Sequence, residues 1–311
     1  MKKVIYLSGG SGMVGRNIID HIQSQDYKIL TPKRSELNLL KYEDVKNFLN
    51  QNKPDLVLHA AGVVGGIEAN IDNPVKFLVE NTQIGINILT ASKETKIKSF
   101  INLGSSCMYP RNSNNPLSED QILSGKLEPT NEGYALAKIG TTKLCEYINS
   151  EDNSYLYKTI IPCNLYGKYD NFNNNSSHMI PAVIKKIHEA KKKNLQFVEI
   201  WGDGIARREF MYASDLTDFI YFAIKNFNKM PQNINVGIGK DYSINDYYKK
   251  IASIIGFKGE FKNNLSKPIG MKKKLISNQK LKEFGWKHKT SLEDGIKKTY
   301  EYFLKMEEEK K

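Results

Sequence analysis

The chain has 311 residues, a formal net charge of +12 at pH 7, 40% hydrophobic residues and 26% charged residues. That apolar fraction excludes global disorder, and the length suits two domains or one large α/β domain with an appendage. Three cysteines, Cys107, Cys145 and Cys163, are too few and too scattered for a disulfide framework or a cysteine-rich zinc site, so a reducing cytoplasm is the expected setting.

The first apolar run, 4–7, stops at Ser8-Gly9-Gly10, far short of a signal-peptide core. No later stretch reaches the roughly 18 apolar residues of a membrane span, so no membrane partner is expected. The spacing then predicts a helix over 13–23, a strand over 56–59 and a helix over 75–92. A strand over 100–103, a helix over 134–148 and a strand over 155–161 follow. Such alternation implies βαβ units, hence a Rossmann-type α/β fold with a doubly wound parallel sheet.

After Pro162 the pattern loosens into an Asn-rich loop over 170–177, followed by a helix over 180–191 and a strand over 197–201. Helical periodicity returns over 243–255 and 291–304, and the charged tail 306–311 is expected to fray. Lysine runs at 191–193 and 272–274 lack interleaved aromatics and read for the most part as solvated surface, so no nucleic-acid partner is expected. His21, His59, His188 and His288 show no metal-ligand spacing, and no metal is expected.

Gly9, Gly12 and Gly15 fall between the first strand and the first helix, with Ser11, Met13 and Val14 in the same loop. Missing Cβ atoms let the chain turn sharply and bring backbone amides to a pyrophosphate at the helix N-terminus. An ordinary tight turn is the alternative, against which the strand and helix context weighs. About 20 residues on, where an acid would read the ribose hydroxyls of NAD, Lys33 and Arg34 present two cations. They suit the 2′-phosphate of NADPH/NADP, the bland reading being surface charge.

Tyr134 and Lys138 lie four residues apart on one helix face, and an ammonium there would favour the phenolate. Ser105 follows the fourth parallel strand, at the carboxyl ends where open α/β sheets bind ligands. There it could hydrogen-bond a carbonyl while Tyr134 donates a proton.

With these motifs in family order, the sequence resembles the extended short-chain dehydrogenase/reductase family, in its GDP-L-fucose synthase branch. Further carrying segments are Glu36-Leu37-Asn38-Leu39-Leu40, Val64-Gly65-Gly66-Ile67 and Leu127-Glu128-Pro129-Thr130-Asn131-Glu132. Asn164-Leu165-Tyr166-Gly167, Ser177-His178, Trp201-Gly202 and Arg208-Glu209-Phe210 extend the match over nearly the whole chain. The resemblance implies an NADPH-dependent C4-ketoreductase of a GDP-4-keto-6-deoxy sugar that also epimerises C3 and C5, with Cys107 and His178 as base and acid. It also implies cofactor contacts from Tyr134 and Lys138, and GDP-sugar contacts from Asn164, His178, Lys186, Trp201, Arg208 and Lys274. The implied division is an NADP-binding domain over 1–162, with segments of roughly 210–240 returning to it, and a sugar-nucleotide-binding region mainly over 163–311. A homodimer through the helices flanking Tyr134 is a further implication.

Three positions depart from the pattern: Ser11 replaces a common arginine, Gly133 replaces the proline before the catalytic tyrosine and should loosen the start of that helix, and Cys163 replaces a threonine. The alternatives are a reductase without epimerase activity acting on a GDP-4-keto-6-deoxyheptose for capsule or surface-polysaccharide synthesis, and a non-catalytic NADP-binding sensor. Intact Ser105, Tyr134 and Lys138 weigh against the sensor.

Overall fold

The computed structural model describes residues 2–173, 177–267 and 269–309. Five strands, β1 (Val4–Ser8), β2 (Lys28–Leu30), β3 (Leu56–His59), β4 (Ser99–Leu103) and β5 (Leu156–Pro162), arise in sequence order. A sixth, Asn233–Val236, completes a sheet in which the spatial order runs from that strand through β5, β4, β3 and β1 to β2. Every neighbouring pair is parallel, with Ile5 beside Leu56, Val57 beside Phe100 and Ile160 beside Ile234.

Both faces of the sheet are covered, as parallel strands demand. Side chains alternate across a strand, so Ile5 and Leu7 enter one core while Tyr6, Val57, Phe100 and Tyr157 enter the other. The first face packs against α1 (Met13–Asp20) and, from much later in the chain, α7 (Ala213–Lys225). The second packs against α2 (Tyr42–Asn52), α4 (Pro74–Glu94) and α5 (Glu132–Glu151). Between α2 and α4 lies the short α3 (Ile67–Asp72). The returning strand and α7 thus use part of the second half to finish the first core.

The rest of the second half builds a separate core. In it α6 (Met179–Lys192) and α8 (Ile244–Ile255) meet the strand Phe197–Trp201 and the last helix, Leu292–Glu308, burying Ile180, Ile184, Ile187, Ile251 and Phe303. The fold is the doubly wound α/β class expected from the alternation.

Two helical expectations are corrected. The first helix ends at Asp20, where His21 turns extended and its Nδ1 accepts from Gln23 N at 3.3 Å, opening a separate 3₁₀ turn over Ile22–Asp26. The last helix runs on to Glu308, so residues 306–308 of the supposed fraying tail are helical; 310 and 311 lie outside the described residues. Of the Asn-rich loop, residues 174–176 likewise lie outside them.

Candidate active site

The carboxyl ends of β1, β3, β4 and β5 open onto one cleft of about 1170 Å³, faced from the other side by α6, Trp201, Arg208 and the segment around Lys274. Gly9 sits at φ 80°, and a Cβ there would lie 2.6 Å from Ala61 N. A Cβ on Gly15 would lie 2.2 Å from Gly9 O. Only glycine lets the loop press against both β3's exit and the first turn of α1.

That first turn fits a pyrophosphate. Its N-cap, Gly12, has no side chain to occupy the first-turn amides, and no acidic residue stands there to repel an anion. Gly9, Ser11, Gly12, Met13 and Val14 all line the cleft, and Arg34 joins them from beyond β2. Lys33 does not: it is exposed outside the lining, its backbone N–H tied to Glu36 Oε2 at 2.7 Å. Of the two cations expected at a 2′-phosphate, Arg34 alone stands on the cleft wall.

Beyond the loop, Ser105 caps the 3₁₀ turn Ser106–Met108 that ends β4's exit, its Oγ accepting from Cys107 N at 3.2 Å. Ser105 also acts on the ionisation of the Tyr134 phenol. Burial pushes the phenol's pKa well up, Cys107 raises it further, and Ser105 pulls it back. Lys138 Nζ donates to Leu103 O at 2.8 Å and lies over the Tyr134 ring, 5.8 Å from its centre. Burial in turn lowers the Lys138 pKa to about 8, with Cys107 opposing.

Gly133 does not loosen the start of α5. The helix begins at Glu132, and a Cβ on Gly133 would lie 2.9 Å from Pro74 O, so glycine here lets α4 approach.

Cys107 and His178 share the cleft with Tyr134. Cys107 Sγ accepts from Asn131 Nδ2 at 3.2 Å and from Lys274 Nζ at 4.0 Å. His178 precedes α6 in extended conformation, and burial first, then Lys274, lowers its pKa. An imidazolium formed there gives up its proton readily. Lys274 thus stands at the Cys107 end of the cleft, its strand fastened by a contact that sequence reasoning missed. Glu209, almost wholly buried, accepts from Gly239 N at 2.7 Å and from Ile276 N, two residues past Lys274, at 3.0 Å. Burial raises its pKa to about 7, and its backbone oxygen receives Asn164 Nδ2 at 2.8 Å. Asn131 was missed too, although both residues lie inside quoted motifs.

At the far end, Lys186 donates to Glu199 O at 3.0 Å, and its Nζ lies 5.7 Å from the Trp201 ring. Lys267 also approaches Trp201, at 4.7 Å, and pairs with Glu68 of α3 at 3.1 Å. Arg208 donates to Ile269 O at 2.9 Å. The end holds an aromatic face and several cations, a set suited to a base and a diphosphate. Among the described residues, no group of His, Cys, Asp and Glu could hold a metal ion, and no helix is long and apolar enough to cross a membrane.

Residues 5–239 match the family described as "NAD dependent epimerase/dehydratase family". A GDP-L-colitose synthase of Yersinia pseudotuberculosis is 61% identical, the alignment covering 96% of this chain and 97% of that one. A GDP-L-fucose synthase of Azorhizobium caulinodans is 46% identical, over 97% and 96% of the two chains. Among solved structures, a GDP-mannoheptose C4 reductase from Campylobacter jejuni with NADP bound superposes with a TM-score of 0.87 at 30% identity, covering 97% of this chain and 98% of that one.

Proposed function

The chain belongs to the NAD dependent epimerase/dehydratase family, and we propose on that premise that it is an NADPH-dependent oxidoreductase of GDP-linked 4-keto-6-deoxy sugars that also epimerises the carbons beside the ketone. The observation that carries this reading is the meeting of two chemistries on one cleft. Ser105 and Cys107 both act on the Tyr134 phenol, and His178 lines the same cleft. Its relatives named for GDP-L-colitose, GDP-L-fucose and GDP-mannoheptose C4 reduction support the substrate class.

The loop from Gly9 to Val14, with Arg34, Tyr134 and Lys138, would hold NADPH, which would supply the hydride when bound. Ser105 hydrogen-bonds the C4 carbonyl oxygen and Tyr134 gives that oxygen its proton. Before reduction, the ketone acidifies the hydrogens on C3 and C5. Cys107 removes such a proton and His178 returns one from the opposite face, inverting the carbon. Asn164 and Lys274 hold the sugar end, and Lys186, Trp201 and Arg208 the nucleotide end. Residues 1–162, with segments of roughly 210–240, form the cofactor domain and residues 163–311 mainly the sugar-nucleotide domain. Exposed Val75, Val79 and Ile86 on α4, with Leu136 and Tyr147 on α5, support a homodimer through these helices. The free thiols support a reducing, cytoplasmic setting.

One assay tests the substrate. NADPH consumption is followed with GDP-4-keto-6-deoxymannose, its 3-deoxy analogue and the heptose counterpart, and the products are read by NMR. Fast turnover of a hexose with inversion beside C4 is expected. Preference for the heptose with C3 and C5 unchanged would leave a reductase alone.

Arg34 carries the cofactor preference. Arg34→Ala should raise the Kd for NADPH by about tenfold and leave that for NADH within about twofold, because a charge-assisted bond to phosphate is worth about 1.5–3 kcal/mol. Equal losses for both cofactors in a binding titration would remove Arg34 from the 2′-phosphate.

A further inference from the structure

Asparagine is favoured at helix N-caps because its side-chain oxygen can accept a first-turn N–H. Asn131 holds that position on α5 and makes no such bond. Its Oδ1 is buried without a partner, while its Nδ2 reaches Cys107 Sγ at 3.2 Å. The side chain is turned away from its own helix towards the sulfur. Capping therefore does not account for it.

Lys274 Nζ approaches the same sulfur at 4.0 Å from the strand Lys273–Lys274, which Glu209 fastens through Ile276 N. A thiolate can only accept hydrogen bonds, and two donors on one sulfur suit that form. We propose that Asn131 is a positioning residue which, together with Lys274, holds Cys107 as a thiolate aimed into the cleft. The same residue precedes Tyr134 by three positions and Lys138 by seven, so one helix start fixes the epimerising base against the reducing acid. The proposal rests on the reading of Cys107 as a base.

Charged and titratable groups face Cys107 from each side. Tyr134 and Lys138 do so from α5, Lys274 from its strand and Arg208 from the strand Arg207–Arg208, where Glu128 also acts on it. Three of these are cations, so loss of Asn131 should weaken the thiolate without abolishing it.

The test reads the sulfur directly, in the full chain and without sugar substrate. Alkylation of Cys107 by iodoacetamide is measured against pH and located by peptide mass spectrometry; Cys145 and Cys163 are buried and should react slowly. Asn131→Ala should move the midpoint up by about one pH unit, an approximately tenfold loss of thiolate below both midpoints. Asn131→Asp should move it further, since a carboxylate repels the thiolate. If the role were structural, the alanine variant would lose NADPH binding while its midpoint stayed parental. A parental midpoint in Asn131→Ala, in protein that still binds NADPH, overturns the proposal. Should the alanine variant fail to fold, Asn131→Leu, which keeps the shape of the side chain and lacks the donor, carries the same test. Because alkylation needs no turnover, a wrong substrate assignment would leave the midpoint shift intact, and an unmoved midpoint would leave the substrate assignment intact.

Discussion

Tyr134→Phe is expected to lower the turnover number for C4 reduction by about 10²- to 10⁴-fold, the usual worth of a positioned proton donor, while NADPH affinity changes little. The substitution keeps the ring, its edge contact with Phe77 at 6.4 Å and the helix that carries it. It removes only the hydroxyl, whose ionisation Ser105 influences. Without that proton, hydride addition would leave a bare alkoxide at C4, in a cleft where burial already penalises anions. Solvent deuterium should still enter the substrate beside the ketone, because Cys107 and His178 need no hydride. Single-turnover measurement of cofactor oxidation, paired with NMR of the recovered substrate, checks both halves. A turnover number within twofold of the parent would remove Tyr134 as the proton donor.

Much of the fold was legible because burial makes parallel strands nearly continuous apolar runs. Leu56–His59 and Phe197–Trp201 fall where the pattern places them, and α4 and α5 differ from it only at their ends. Of the helices missed, α7 carries a wide apolar face with Leu216, Phe219, Ile220 and Ile224 buried, whereas α2 and α3 do not. α2 buries only Val45 and Leu49, and α3 follows a glycine-rich loop where Asn70 Nδ2 grips Gly65 O and Gly66 O at 3.0 and 2.9 Å. Local side-chain-to-backbone bonds rather than apolar periodicity hold it.

The site was legible in membership more than in role. Glycines, Ser105, Tyr134 and Cys107 announce themselves by position after strands. What Lys138 and Lys274 touch depends on where side chains end. Lys138 meets Leu103 O, fixed by the far end of β4, and Lys274 meets a sulfur 167 residues away in sequence. Lys33 and Arg34, adjacent in sequence, separate because the chain turns back through the Glu36 bond between them and α2. Glu209 stays hidden for a related reason. Its partners are backbone amides, and these leave no residue-type signature.

Cys107→Ser should lower deuterium incorporation at the carbons beside the ketone by about 10²- to 10⁴-fold and leave C4 reduction running on the unepimerised ketone. A hydroxyl in the place of the thiol keeps the size and the neighbours, Asn131 and Lys274 included, but it ionises far less readily than sulfur and cannot serve as a base near neutral pH. The product should then be the GDP-6-deoxy sugar with its original configuration at C3 and C5, which NMR distinguishes from the inverted one. The two chemistries are also coupled through charge, since Cys107 is one of the groups that raises the Tyr134 pKa. Deuterium exchange at the parental rate would place the base elsewhere. Equal loss of exchange and reduction would mean that Cys107 seats the sugar for both reactions, and the separation between epimerising and reducing residues would no longer stand.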